Sequence, residues 1–349
     1  MTKILVLRYR FIGDTILTIP FLRNLRNAYP DAQIDMLVGP MSGEILEDCP
    51  YIDNLIYFDT TRKHRYENSA QKKKNLFSYA KELRATKYDK AYVLKRSLSS
   101  AFLAFLAGIP KRIGFDTEKR GFLLTKKVPY TKDKHEIESF LDVLRADNVP
   151  VNDSYLENWH NCEAQKKIDS IFEENSINND RPKIILHATS GNINKQWPLE
   201  YFARVVDYLA NEKGLQVFYA GAPADFAVYE EIHTLLNKDL NIKPLNLCGK
   251  LSLQESAELI SRMDLMVGCD SGNLHIASSY NVPVIGIYGP MSSIKWGAWG
   301  DNNTYIVENL PCVPCELKKK CTLDRACLKN IKPERIIKAI ESKLNSTVY

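Results

Sequence analysis

Short apolar runs recur along this chain, and each is followed by a stretch whose apolar residues fall at helical spacing. That alternation limits the fold more than any other feature. Residues 4–7, 34–38, 55–58, 90–94 and 112–114 read as strands or turns. Residues 15–28, 72–85, 97–106 and 133–145 read as helices between and after them. Strands that alternate with helices imply parallel sheets with crossover connections. Residues 150–181 break the rhythm with asparagine-rich, polar sequence around one helix at 164–174. A second series then begins after Pro182. Its strands are expected at 183–187, 216–219, 244–246, 265–267 and 284–287, and its helices at 199–211, 225–236, 253–261 and 272–279. The fold class is therefore α/β, with two Rossmann-like, doubly wound domains facing across a cleft. We draw them as residues 1–165 and 166–332, followed by a C-terminal helical segment, 333–349, that is free to pack back on the first domain. A chain of 349 residues is comfortable for two such domains.

In open parallel sheets, ligands sit beyond the carboxyl ends of the strands. The chemistry is therefore sought in the loops that follow strands. The first such loop is Arg8-Tyr9-Arg10-Phe11-Ile12-Gly13-Asp14. Gly13 would permit a tight turn, and Asp14 would stand at or near a helix N-cap. The carboxylate is then either a plain cap or a base able to accept a proton from a substrate hydroxyl. One glycine is not a G-x-G-x-x-G fingerprint, which argues against a nicotinamide enzyme.

The loop after residue 187 carries Thr189, Ser190 and Gly191, then Lys195-Gln196-Trp197-Pro198. Small donors, backbone amides and one fixed cation suit a diphosphate, although a solvated polar loop has the same composition. Trp197 favours the first reading, because such a ring needs packing. The segment Asp270-Ser271-Gly272-Asn273-Leu274-His275 follows a strand and opens a helix, the standard place for a phosphate. There Asp270 could bind sugar hydroxyls, and His275 is either a ligand or a core histidine. Asp225, after Gly221-Ala222-Pro223-Ala224, is either a helix cap or a contact to ribose hydroxyls.

Charge narrows the partners. With 47 basic and 42 acidic residues the net charge is +5. That suits an anionic small ligand or a nearby anionic membrane surface and falls short of a nucleic-acid footprint. The basic residues cluster at Lys63, Arg65, Lys72, Lys73 and Lys74, and again at Lys111, Arg112, Lys119, Arg120, Lys126 and Lys127. These are solvated loops or a rim that receives an acidic acceptor. No apolar run approaches the roughly 18 residues of a spanning helix. Met1-Thr2-Lys3 leads straight into a four-residue apolar run, too short for a secretory core. The expected location is cytoplasmic, with the cytoplasmic face of the inner membrane as the place of any peripheral contact. Eight cysteines there are thiols or metal ligands rather than disulfides. Cys312, Cys315, Cys321 and Cys327 have the compactness of a zinc or iron site, but their spacing matches neither a common zinc ribbon nor a ferredoxin run.

Taken in order, these segments resemble glycosyltransferase family 9, the ADP-heptose:lipopolysaccharide heptosyltransferases. The resemblance spans nearly the whole chain. It includes Gly13-Asp14, the run Ala107-Gly108-Ile109-Pro110-Lys111-Arg112-Ile113-Gly114-Phe115, and Lys134-His135-Glu136. It continues through His187-Ala188-Thr189 with Lys195 and Trp197-Pro198, Asp270-Ser271-Gly272 with His275, and Pro283 to Gly289.

The resemblance implies a GT-B fold and an inverting, metal-independent transfer of a sugar. Heptose from ADP-heptose is the first expectation. The acceptor would be a lipopolysaccharide core or a related glycolipid or glycan. Asp14 would be the general base, and Lys195 would neutralise the departing diphosphate. Thr189, Ser190, Ser271 and Gly272 would hold phosphates, Asp270 and His275 would lie near the sugar and diphosphate, and Asp225 near the ribose. Arg112 and Arg120 are the expected contacts to acidic acceptor groups. Two alternatives stand beside this reading. One is a family member acting on O-antigen, capsule or protein with another nucleotide-sugar. The other is a non-catalytic nucleotide-sugar binding or assembly protein.

Overall fold

The computed structural model describes residues 1–59, 74–178, 180–236 and 239–346. The chain divides into two compact units, Met1–Leu156 and Glu157–Tyr349. Four members of the first basic cluster, Lys63, Arg65, Lys72 and Lys73, lie outside the described residues.

The first unit runs β1 (Lys3–Leu7), α1 (Ile12–Ile16), α2 (Ile19–Ala28), β2 (Gln33–Val38), α3 (Pro40–Glu44), β3 (Asn54–Tyr57), α4 (Leu76–Thr86), β4 (Lys90–Val93), α5 (Leu98–Leu106), β5 (Lys111–Phe115), β6 (Lys126–Val128) and α6 (Glu136–Ala146). Its six strands lie in the order β3-β2-β1-β4-β5-β6, with every pairing parallel. Ile4, Leu5, Val6 and Leu7 of the central β1 are all fully buried. A parallel sheet covered by helices on both faces requires such a continuous apolar run rather than an alternating one. The helix expected at 15–28 is two helices. Pro20 stands in the first turn of α2 and has no N–H to continue the ladder from α1, so the chain restarts there.

The second unit contains α7 (Cys162–Glu174), β7 (Lys183–His187), α8 (Leu199–Asp207), β8 (Gln216–Tyr219), α9 (Phe226–Thr234), β9 (Leu245–Asn246), α10 (Leu253–Ser261), β10 (Leu265–Cys269), α11 (Gly272–Ser279), β11 (Val284–Tyr288), α12 (Ser293–Trp296), β12 (Thr304–Val307), α13 (Ala326–Lys329) and α14 (Pro333–Ser346). Its sheet order is β12-β11-β10-β7-β8-β9, again all parallel. Numbered within each unit, both sheets have the same doubly wound order, 3-2-1-4-5-6. Helix α7 packs on α10, so it belongs wholly to the second unit, and the division falls earlier than the 165/166 boundary read from the sequence. Helix α14 lies against α8, with Ile336 and Ile340 fully buried in the second unit's core, where the sequence had left it free to join the first domain. Leu186 on β7 is buried in the same cluster, and truncating it to alanine should cost about 2–5 kcal/mol. Among the described residues no helix is long and apolar enough to cross a membrane.

Candidate active site

A doubly wound sheet binds ligands where the strand order reverses, beyond the carboxyl ends of its two central strands. In the second unit those strands are β7 and β10. Gly268 is required between them: a Cβ there would stand 2.8 Å from the carbonyl oxygen of His187 and 2.9 Å from its Cβ. The loop after β7 is anchored from below. Trp197 is buried, its indole N–H donates to the Ile331 carbonyl at 2.9 Å, and its backbone N–H donates to Cys269 Sγ at 3.2 Å. This anchoring delivers Lys195, whose Nζ lies 2.8 Å from Asp270 Oδ2. The Ser190 hydroxyl donates to the Asp270 carbonyl at 3.0 Å, and Gln196 Nε2 donates to the Ser190 carbonyl at 3.2 Å. The loops after β7 and β10 are thereby tied together.

Ser271 is the N-cap residue of α11, but its side chain makes no cap bond, and its buried Oγ has no hydrogen-bond partner. The first-turn amides of α11 therefore carry their partial positive charge uncapped by a side chain. Beneath them is His187, with Asn273 Nδ2 at 3.1 Å from Nδ1 and Thr189 Oγ1 at 3.5 Å from Nε2. Burial pushes the His187 pKa down, opposed by Asp225 and by the Ala220 carbonyl. A neutral ring with one donor and one acceptor fits that position. Lys195, Asp270, Ser271 and Gly272 are thus brought together as expected, and Thr189 and His275 are buried beside them.

Two expected donor contacts also hold their own loops in place. The hydroxyl of Ser190 is spent on the Asp270 carbonyl, so this residue braces the loop. Asp225 is buried and its Oδ2 accepts the Ala222 N–H at 2.9 Å, capping its own turn, while its buried Oδ1 has no hydrogen-bond partner.

In the first unit the corresponding strands are β1 and β4. Asp14 is in the first turn of α1, not at the N-cap, which is Phe11. Its carboxylate pairs with the buried Arg8 guanidinium. The tight turn falls on Arg10, with φ 122°, and not on Gly13, which is helical. A non-glycine residue in that region stores strain, and such strain collects at functional loops. Lys95 and Arg96 follow β4. The Lys95 ammonium is pushed down to about 8 by burial and by Arg8, Arg10 and Arg96, with Asp14 opposing. Arg96 lies over the Tyr130 ring at 4.1 Å, 3.9 Å from Glu136 Oε1. Glu136 is fully buried at the start of α6, which His135 caps by accepting the Ile137 N–H at 3.2 Å. Sequence reasoning missed Arg8, Lys95 and Arg96. The signal available was position alone: they follow the two strands on either side of the reversal.

Of the two expected acceptor contacts, Arg120 is turned into the protein. Arg120 is fully buried and donates to the Phe115 carbonyl at 2.8 Å, the Ser97 carbonyl at 3.0 Å, Ser100 Oγ at 3.1 Å and the Lys95 carbonyl. Arg112 donates to the Leu123 carbonyl at 2.6 Å and to the Ile109 carbonyl. Both arginines hold loops in place; the Arg120 guanidinium is fully engaged there, while Arg112 is half-buried and uses only its Nε and Nη1. In the cysteine loop, Cys327 is buried while Cys312 and Cys321 are exposed. The Cys327 thiol is pushed up to about 11, by burial first and then by the neighbouring Cys321, Cys312 and Cys315. The four thiols share a neighbourhood, yet among the described residues no three His, Cys, Asp or Glu side chains are grouped to hold a metal ion.

Two doubly wound units, one with a carboxylate among cations at its reversal point and one with a lysine beside an uncapped helix start, have the GT-B architecture. The chain belongs to glycosyltransferase family 9: the profile of "Glycosyltransferase family 9 (heptosyltransferase)" matches residues 76–326. It is 30% identical to lipooligosaccharide heptosyltransferase 2 of Haemophilus influenzae over 301 residues, covering 83% of this chain and 84% of that one. It is 26% identical to lipooligosaccharide heptosyltransferase 2 of Campylobacter jejuni over 355 residues, covering 99% of each. The solved ADP-heptose lipopolysaccharide heptosyltransferase II of Escherichia coli shares the fold, with a TM-score of 0.79, 23% identity and full coverage of both chains.

Proposed function

We propose that this protein transfers heptose from ADP-heptose to a lipopolysaccharide-core acceptor, with inversion at the anomeric carbon and without a metal ion in the chemistry. The observation that carries the reading is the donor cradle of the second unit. Lys195 is fixed at 2.8 Å from Asp270 beside the uncapped start of α11, where Ser271 Oγ has no partner. A diphosphate would take the helix amides and the Ser271 hydroxyl, and Lys195 would neutralise the charge that grows on it as the sugar departs. Asp270 orients Lys195 and has a second oxygen for a sugar hydroxyl.

Asp14 would accept the proton of the attacking acceptor hydroxyl in a single displacement, which inverts the centre and needs no covalent nucleophile. Its ion pair with Arg8 holds the carboxylate in place. Acidic groups of the acceptor would meet Arg10, Lys95 and Arg96 in place of Arg112 and Arg120. The name of the Escherichia coli neighbour supports ADP-heptose as donor, and the names of the curated relatives support a lipopolysaccharide or lipooligosaccharide acceptor.

Calorimetry with ADP-heptose, ADP, and UDP- and GDP-sugars tests the donor. ADP-heptose should bind best, and preference for a uridine or guanosine donor would sink the assignment. Product NMR checks inversion, and unchanged turnover in EDTA checks metal independence. The loop Cys312 to Cys327 is proposed separately as a structural zinc or iron site, one that would form only as a metal draws its four neighbouring thiols together. Metal analysis of the purified protein beside Cys312→Ser decides it: no stoichiometric metal in the parent ends that proposal.

A further inference from the structure

Lys195 is carried by a single 3₁₀ turn, Ile193–Lys195, and so short a turn is a weak scaffold for a charged group. Inside it the Lys195 N–H donates to the Asn192 carbonyl at 2.9 Å, and the Gln196 N–H to the Ile193 carbonyl at 3.1 Å. On the C-terminal side the chain is fixed by the buried Trp197. The N-terminal side is open. A Cβ at Gly191 would meet nothing within 4 Å, and a glycine with open space around it leaves the backbone free to pivot.

The tie on that open side comes from the cysteine loop. Arg325 Nη1 donates to the Ile193 carbonyl at 3.1 Å and reaches the Gln196 carbonyl at 3.5 Å. One guanidinium nitrogen thereby bridges both ends of the turn that carries Lys195. Carbonyls in the last turn of a helix carry partial negative charge, which suits a cationic donor.

Arg325 is itself held. It is the N-cap of α13, and its carbonyl accepts the Leu328 and Lys329 N–H groups at 2.8 and 3.0 Å. Its own N–H donates to Cys321 Sγ at 3.3 Å. Asp324 and Arg325 both lie in the left-handed region, with φ 42° and 56°, a costly conformation for side-chain-bearing residues. The carboxylate next to it, Asp324, pairs with Lys329 and does not draw the guanidinium away. The same segment gives the Ile331 carbonyl to the Trp197 indole and the Lys329 carbonyl to the Tyr201 hydroxyl, at 3.3 Å. Residues 325–331 therefore meet the Lys195 loop and the start of α8 at three points.

We propose that Arg325 is a positioning residue for Lys195: it clamps the turn so that the ammonium stays where the donor diphosphate is received. The inference rests on the donor role proposed for Lys195 and deepens it, since it gives the cysteine loop a part in the same site. In this role Arg325 acts through Lys195 and makes no contact with the donor. Without the clamp the turn pivots about Gly191 while Trp197 stays anchored. A misplacement of about 1 Å at a reacting group is enough to cost about 10²-fold in rate.

Deuterium exchange on the full chain, without ligand, reads the clamp, and a double-mutant cycle reads its purpose. In Arg325→Gln the amides of residues 194–196 should exchange about tenfold faster or more, with Tm and the exchange of β7 unchanged. Turnover of ADP-heptose should fall about tenfold or more in the same variant. In the Lys195→Ala background, Arg325→Gln should change kcat by no more than about twofold, because the group that it positions is gone. Unchanged exchange at residues 194–196 overturns the proposal. So does a loss equally large in both backgrounds, since Arg325 would then act on the fold or on the donor directly. Lys195→Ala that turns over normally would overturn the donor reading and this purpose with it. That result is distinct from a failed clamp, which the exchange data judge alone.

Discussion

The two units carry the same strand order and place their functional loops at the same point of it, yet they fill that point with opposite solutions. The first collects Arg8, Arg10, Lys95 and Arg96 about Asp14, with the buried Glu136 facing Arg96. The second uses a helix start, a serine hydroxyl and a single lysine pinned by Asp270. One is a crowded field of full charges. The other is a set of fixed dipoles with one cation, suited to receiving a polyanion. The scaffold decides where chemistry is done, and the loops decide which chemistry.

If the division of labour is right, single substitutions should separate by unit. Asp14→Asn should give the largest effect, lowering kcat by about 10²–10⁴-fold while leaving donor affinity near wild type. Steady-state kinetics with calorimetric donor binding checks both halves. Turnover near wild type would show that Asp14 is not the base. Asparagine is the better replacement because its amide oxygen can still accept from Arg8; it too removes the counter-charge of a buried guanidinium, so Tm is measured alongside. Next, Lys195→Ala should reduce kcat/KM by about 10²–10³-fold and weaken donor binding as well. An unchanged donor Kd would remove Lys195 from the cradle.

A third substitution sharpens the contrast between site and scaffold within the first unit. Arg120→Met removes four charge-assisted hydrogen bonds, to the carbonyls of Phe115, Lys95 and Ser97 and to Ser100 Oγ, and leaves those carbonyls only the Thr117 N–H and the Ser100 donors. A loss of roughly 3 kcal/mol is expected, seen as a fall in Tm of about 6 °C or more. Arg112→Met should cost less, because that side chain is only half-buried. Acceptor affinity reduced at an unchanged Tm would restore the direct contact.

The arginines also show what the sequence could tell. The central strands were legible because burial on both faces leaves an apolar run, as in residues 4–7 and 183–187. The edge strands β6 and β12 were not, since Lys126-Lys127-Val128 is charged and half-solvated, and Thr304 to Val307 is short and mixed. The donor cradle was legible because its parts sit together in the sequence, just after strands. Arg112 and Arg120 were misread because nothing local distinguishes a solvated arginine from one whose acceptors come from separate segments: Val93, Lys95, Ser97 and Phe115 surround Arg120 only after folding. Lys95 and Arg96 stayed hidden because their importance depends on β4 pairing with β1, which is a fact of topology.

Lys95 supplies the smallest effect and the most selective one. Its ammonium sits at about 8, below the ordinary 10.5, so it loses its proton as the pH rises through the range used for assays. At pH 9 only about a tenth of the folded protein keeps that charge. If Lys95 meets an acidic group of the acceptor, acceptor KM should rise a few-fold between pH 7 and 9, and donor binding in the second unit should not follow it. Stability should move the other way. Between about 8 and 10.5 the unfolded chain holds this proton more tightly than the folded one, so Lys95 contributes stability that grows with pH across that window. Falling acceptor affinity with a rising Lys95 contribution to stability is a signature that general alkaline damage cannot produce. Lys95→Arg keeps the charge at every pH in the range and should flatten the KM inflection. A flat wild-type acceptor profile would confine the cation cluster to tuning Asp14, with the acceptor's acidic groups bound elsewhere.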